Sequence, residues 1–219
     1  MHMLSRLYTY IAVWASISLL ISVLVKSYGL VAYVVVFVGL FGGVFIRYRS
    51  HIVGWLRNAG WSSTPKYVLL ISIITLIEEW LVLVLAGRAG LMYPGHFGVN
   101  MLLVLSFLVP WLLTWKLYLL KQYRYSKNEA IMTAGLAGVM YEVLNPARMM
   151  NPAAWLMLTP LSILIYAVVA YLPLQVIEYS GRKQSRIKYL VSVLLLFVVS
   201  WGPALLVFMA LSVFGVSLE

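Results

Sequence analysis

The sequence predicts an all-α, polytopic membrane helical bundle in one domain, residues 1–219. Three observations predict it. Apolar residues make up 63% of the 219 positions and charged residues only 10%, with a mean hydropathy of +0.97. A soluble domain of this size does not need that much apolar side chain. The apolar residues fall into seven runs, each near the ~20 residues that a helix needs to cross the hydrocarbon core. The basic residues collect between the runs, mostly on alternate connections.

The runs cover 7–25, 28–46, 65–87, 100–120, 127–145, 153–177 and 188–215. Arg6 precedes the first, but no small-residue cleavage site follows it, so the run reads as a retained span and not a signal peptide. After the second run, Arg47, Arg49 and Arg57 mix with Ile52, Val53, Trp55, Leu56 and Trp61. That mixture predicts an interfacial segment lying on an anionic leaflet. Thr64 is a good N-cap and Pro65 suits the first helical position of the third span. Ser126-Lys127-Asn128-Glu129 fits a capping box opening the fifth, which gives Glu129 a structural role. Glu178 and Glu219 are expected in solvent.

Charge sets orientation. Arg6, the group Arg47, Arg49, Arg57 and Lys66, the group Lys116, Lys121, Arg124 and Lys127, and the group Arg182, Lys183, Arg186 and Lys188 all fall on one side. Only Lys26, Arg88 and Arg148 fall on the other. The positive-inside rule then predicts seven spans with the N-terminus cytoplasmic and the C-terminus outside. The net charge of +10 is dispersed in short loops between apolar spans, which argues against a nucleic-acid partner. The expected partner is the lipid bilayer, with a lipidic small molecule as ligand, and the expected location is a cell membrane, multi-pass. With no cysteine and three scattered histidines (His2, His51, His96), neither a metal nor another cofactor is expected. Nothing in the pattern sets an oligomeric state.

The stretch Ser72 to Arg88, most of it in the third run, carries the chemistry. The chain has six acidic residues, all Glu, and two of them, Glu78 and Glu79, sit inside this span. A charged side chain at a helix centre costs at least ~2.5–3.5 kcal/mol, so an intramembrane carboxylate is a functional-site candidate. Ser72, Thr75 and Glu79 share a helix face, and Glu78 lies about 100° round from Glu79. The fifth run repeats the device, with Gly135, Gly138, Glu142 and Asn145 at spacings of three and four. The sixth carries Thr159, Ser162 and Tyr166. Small and hydroxyl residues in such stripes belong in a bundle interior, where helices approach closely. Glu79 lies about 21 Å beyond Pro65, and Glu142 about 22 Å beyond Lys127, at 1.5 Å per residue. Both carboxylates are therefore expected past the midplane, toward the outer face.

Glu79 precedes Pro110 by 31 residues (110 − 79) and Glu142 precedes Pro173 by the same interval (173 − 142). Either 65–121 and 127–184 are tandem two-helix repeats, or the match is coincidence. Two connections rich in turn formers, Arg88–Asn100 and Asn145–Trp155, close over the carboxylates. They supply Arg88, His96, Asn100, Asn145, Arg148 and Trp155, and the adjoining spans add Tyr141 and Tyr166. One reading has Arg88 and Arg148 neutralising Glu79 and Glu142 and sealing the bundle. The other makes these residues a substrate site around the catalytic candidates Glu79, Glu142 and Glu78.

Two carboxylates at one depth in an apolar site do not both ionise easily, because desolvation and like charge each oppose it. A protonated Glu can donate a proton and an ionised neighbour can accept one. Aromatic rings such as Trp80, Tyr93, Phe97, Tyr141, Trp155 and Tyr166 could stabilise a cation, or simply pack and belt the interface. With its seven spans, paired hairpins and the intramembrane Glu-Glu of Leu76-Ile77-Glu78-Glu79-Trp80, the chain resembles, over spans three to six, the membrane-integral carotenoid enzymes, the lycopene-cyclase domain family and the carotenoid hydratases. The acids stand here without the preceding Pro of the cyclases, and the chain lacks the Asp residues of both families. Tyr93-Pro94-Gly95-His96-Phe97-Gly98 resembles the hydratases' Pro-Phe-Gly turn. The resemblance implies an isoprenoid or carotenoid substrate and an integral membrane enzyme of acid/base type. The alternatives are a proton-coupled small-molecule transporter and a non-catalytic membrane scaffold. Intramembrane CAAX-type proteases fit less well, since Leu83 stands where their Arg belongs and His96 is expected in a loop. A retinal-binding rhodopsin is excluded because the seventh run has no mid-span Lys.

Overall fold

The computed structural model describes residues 2–58, 60, 63–85, 94–143 and 152–213. Seven helical rods follow one another. They are α1 (His2–Leu24), α2 (residues 28–58), α3 (Ser63–Leu85), α4 (residues 94–122), α5 (Lys127–Val143), α6 (Pro152–Val176) and α7 (Lys188–Val213). Among the described residues there is no strand, only an isolated bridge between Tyr123 and Lys183. Six helices, all but α5, are long and apolar enough to cross a membrane, the pattern of a multi-pass membrane protein. α5 is described over 17 residues and falls short of that length.

Two boundaries differ from the sequence expectation. The basic stretch after residue 46 is not a separate interfacial segment. It is the end of α2, which runs from Tyr28 through a π-helical passage, Val35–Phe41, to Asn58. Phe45, Ile52 and Leu56 keep to helical spacing, and Leu56 is buried in the core, so packing carries the helix on past its arginines. At ~1.5 Å per residue the rod is about 46 Å long, longer than the ~30 Å hydrocarbon core. α4, in turn, begins at Pro94 and not near residue 100. Proline at a first helical position has no N–H to leave unpaired. His96 and Asn100 therefore belong to helical turns, which removes the loop placement used above against a protease-like reading.

α3 and α4 run antiparallel, as do α5 and α6. Tyr67 donates to the Leu112 carbonyl (2.9 Å) between α3 and α4, and Lys127 Nζ donates to Gln175 Oε1 (3.0 Å) between α5 and α6. α5 and α6 make the closest pairing. Ala130, Ala134 and Ala137 are fully buried there, and a Cβ on Gly135 would stand 2.6 Å from the Ile163 carbonyl oxygen. The core between α3, α4, α5 and α6 is filled by Trp111, Trp115, Ile71, Ile74 and Leu112.

The connections are built from local rules. Ser126 and Glu129 form the expected capping box: Ser126 N donates to Glu129 Oε2 (2.7 Å) and Glu129 N to Ser126 Oγ (3.2 Å). Ser180 and Gly181 N–H groups donate to the Leu120 carbonyl, and Arg124 N to the Lys183 carbonyl (3.0 Å), tying the two basic connections together. α1 ends in a Schellman turn: Ser27 N donates to Ser22 O (2.8 Å) and Lys26 N to Val23 O (3.0 Å). Lys26 occupies its left-handed position, with φ 59°. That conformation costs an L-residue ~1–2 kcal/mol, so Lys26→Gly should raise stability by up to about 1 kcal/mol. Chemical unfolding in detergent measures it, and a loss of stability would count against the turn.

Candidate functional site

α3 divides its two carboxylates between two neighbours. Glu78 faces α2, where the Tyr33 hydroxyl donates to Glu78 Oε1. Glu79 faces α4, where Asn100 Nδ2 donates to Glu79 Oε2 at 2.5 Å. The 100° between consecutive helical residues sends the pair to different helices. Both are half-buried. Each accepts a hydrogen bond from a neutral donor, an arrangement stronger than a neutral pair when the acceptor is ionised.

Thr75 lies one turn before them on the same helix. It is fully buried, and its Oγ1 has no hydrogen-bond partner among the described residues. A buried hydroxyl without a partner costs roughly 1–3 kcal/mol, and such sites are where a bound polar group or water is expected. Ser72, on the same stripe, is satisfied by the Val68 carbonyl (3.0 Å).

Tyr166 reaches the same region from α6. Its ring lies on Gly138, where a Cβ would overlap Tyr166 Cγ, Cβ and Cδ2. It meets Trp111 edge-on, with ring centroids 5.8 Å apart and an interplanar angle of 77°. Tyr166 and Glu79 both stand within electrostatic range of the Tyr33 hydroxyl. The small-residue stripe of α5 therefore seats Tyr166 in the bundle interior, within electrostatic range of Tyr33. Trp111 is wholly buried, and its Nε1 has no hydrogen-bond partner among the described residues.

Toward the basic end, an apolar groove of ≈ 430 Å³ begins a turn from Glu78. α3 contributes Leu70, Ile74 and Ile77, α2 contributes Phe45 and Leu56, and α6 contributes Leu172. Its rim carries exposed Trp55, Leu69 and Ile73, so it opens sideways between α2 and α3. Along α2 a column of rings joins groove to carboxylate. Tyr33 stacks on Phe37 (6.0 Å, 11°), Phe37 meets Phe41 (6.4 Å), and Phe41 meets Phe45 (6.2 Å). Its upper end holds Glu78 and its lower end lines the groove.

Of the residues singled out from the sequence, Glu78, Glu79, Asn100 and Tyr166 come together here. Trp155 is half-buried in the first turn of α6. Trp80 is 52% exposed and turned outward. Arg88, Tyr93, Asn145 and Arg148 lie outside the described residues. Glu142 and Tyr141 belong to the last turn of α5 and His96 to the first of α4; their side chains lie outside the described set. Among the described residues no three metal-ligating side chains converge.

No family model, curated protein or solved structure matches the chain. The site is therefore read from its own geometry. Sequence reasoning missed Tyr33, Trp111 and the ring column. The signal was present: Tyr33, Phe37, Phe41 and Phe45 recur every four residues, and Tyr33 brings the only hydroxyl to that stripe. A buried tyrosine hydroxyl normally finds a partner, and an intramembrane Glu is a natural one.

Proposed function

We propose that the chain is an integral membrane enzyme that performs acid/base chemistry on a lipid-soluble, isoprenoid-like substrate, using Glu78 and Glu79, with Glu142 as a third carboxylate. The observation that carries this reading is the apolar, laterally open groove of ≈ 430 Å³ one turn from Glu78. That volume lies within the range of small-molecule sites. A hydrocarbon chain entering from the bilayer would lie along Phe45 and Ile74 with its end at the carboxylates. A protonated Glu would add its proton to an alkene carbon. The resulting cation would be held by ring faces such as Phe37 and Tyr166. Loss of a neighbouring proton to the second carboxylate completes a cyclisation or isomerisation. Capture of water at the cation, with its proton passing to that carboxylate, completes a hydration.

In this reading α5 is a seventh span, the N-terminus is cytoplasmic and the C-terminus outside. The support is that 13 of the 16 Lys and Arg fall on the connections at one end.

The experiment is expression in a host that accumulates acyclic polyene, with extracted lipids analysed by liquid chromatography and mass spectrometry. A product isomeric with the polyene, or heavier by one water, is expected. Glu78→Gln and Glu79→Gln should each lower its yield by about a hundredfold or more, with the thermal midpoint of the purified protein retained. Tyr33→Phe should reduce the yield more mildly. Unaltered conversion in both Gln variants would sink the assignment. If the wild-type protein converts nothing but carries protons with a solute into proteoliposomes, the transporter reading replaces it.

A further inference from the structure

A second cavity lies at the basic end, between α2, α5 and α6. It measures ≈ 430 Å³ and its polar lining is Arg49, Ser50, Lys127, Asn128, Tyr171 and Gln175. No Glu lines it. Its two cations are seated on neighbouring turns of α6. Arg49 Nη1 donates to the Tyr171 hydroxyl (3.4 Å), and Lys127 Nζ donates to Oε1 of Gln175, which is only 8% exposed. Both cations remain exposed at the mouth. The acid nearest Lys127 in sequence, Glu129, is engaged elsewhere, by Lys188, Tyr189 and Ser126. The Tyr8 hydroxyl of α1 donates to the Asn128 carbonyl (3.0 Å).

Depth favours a lipid. Arg49 lies 21 residues (49 − 28) beyond Tyr28 on one continuous helix, about 32 Å along the axis. The hydrocarbon core is ~30 Å thick, so the cavity sits at headgroup level when Tyr28 sits at the opposite boundary. One turn deeper on α2, Ile46 is 59% exposed and faces where an acyl chain would run.

We propose that this cavity binds a phosphate group, and that the group is the headgroup phosphate of an anionic phospholipid. The Arg49 guanidinium offers a planar fork suited to two phosphate oxygens, Lys127 adds a point charge, and Ser50 adds a hydroxyl donor. Basic pockets between membrane helices hold anionic headgroups in this manner. The proposal stands apart from the carboxylate site and does not rest on it.

The test uses the full chain in nanodiscs of mixed phosphatidylglycerol and phosphatidylcholine. Native mass spectrometry of the ejected protein counts retained lipids. Phosphatidylglycerol should be retained over phosphatidylcholine. The double variant Arg49→Gln/Lys127→Gln should lower that preference by about tenfold or more, and Tyr171→Phe by less. Lys121→Gln, an exposed cation outside the cavity, should leave it unchanged. Equal retention of the two lipids, or an unchanged preference in a folded double variant, overturns the proposal. So does a site that inorganic phosphate saturates in detergent with the same residue dependence while phosphatidylglycerol does not bind, since the ligand is then a soluble anion.

Discussion

Gly138→Ala is expected to destabilise the protein by about 1–3 kcal/mol, the range for overpacking a filled interior. Helix propensity alone predicts the opposite sign, because Ala is the better helix former by about 1 kcal/mol. Sterics decide. The new Cβ would overlap two ring atoms of Tyr166, Cγ and Cδ2, and its Cβ. That ring cannot simply turn away, because it rests edge-on against Trp111, which is wholly buried. α5 and α6 must therefore part, and the side chain displaced first is Tyr166, which stands within electrostatic range of Tyr33. Gly39 and Gly43 on α2, where an added Cβ meets nothing, are the controls. Ala there should be neutral or stabilising. Tyr166→Gly should suppress the effect of Gly138→Ala, because it removes Cβ, Cγ and Cδ2, the three atoms that the new Cβ would overlap. Chemical unfolding of all five variants in detergent measures this, and a Gly138→Ala variant more stable than wild type would show that α5 and α6 do not meet here.

The same pair of residues marks what was legible in the sequence. Gly135 and Gly138 at helical spacing announced a close helix contact, and the Thr159–Ser162–Tyr166 stripe announced an interior face, but nothing in either spacing said that the two faces meet. The capping box at Ser126–Glu129 was legible for a similar reason, since both of its hydrogen bonds are local. Boundaries were less so. Proline at position 94 was read as a turn former, although it equally suits a first helical turn, and the arginines after residue 46 were read as leaving the helix although Ile52 and Leu56 kept its period. The pairing of Glu78 with Tyr33 was the least legible part. It joins residues 45 apart across two helices, and helical periodicity in one strip of chain says nothing about which strip lies opposite. Glu79, for its part, meets Asn100 in the second turn of α4, 21 residues on.

Removing Glu129 is expected to have the larger effect at the basic end. Lys188 is 5% exposed at the start of α7. Its Nζ donates to the Arg124 carbonyl (2.6 Å) and to Glu129 Oε1 (3.3 Å), and lies 4.5 Å from the centre of the Tyr125 ring and 4.9 Å from that of Tyr189. Glu129 in turn accepts from Tyr189 (2.5 Å) and from Ser126 N (2.7 Å). Burial pushes the Tyr125 hydroxyl above the usual phenol range, so that residue stays neutral and cannot replace the lost negative charge. Glu129→Ala leaves a buried ammonium whose remaining partners among the described residues are a carbonyl and ring faces, and should cost about 3–5 kcal/mol. Lys188→Met leaves a carboxylate that is 21% exposed and still accepts two hydrogen bonds, and should cost less, about 1–2 kcal/mol. The double variant should be less unstable than the sum of the singles, because the isolated buried charge is gone. Equal losses for the two single variants would mean that the pair is not the desolvated one. The order matters beyond stability, because this cluster sets where α5 begins relative to α7. α5 reaches Gly138 eleven residues after Lys127 (138 − 127), so a shift at its start is carried along a rigid helix to Tyr166 and the carboxylates.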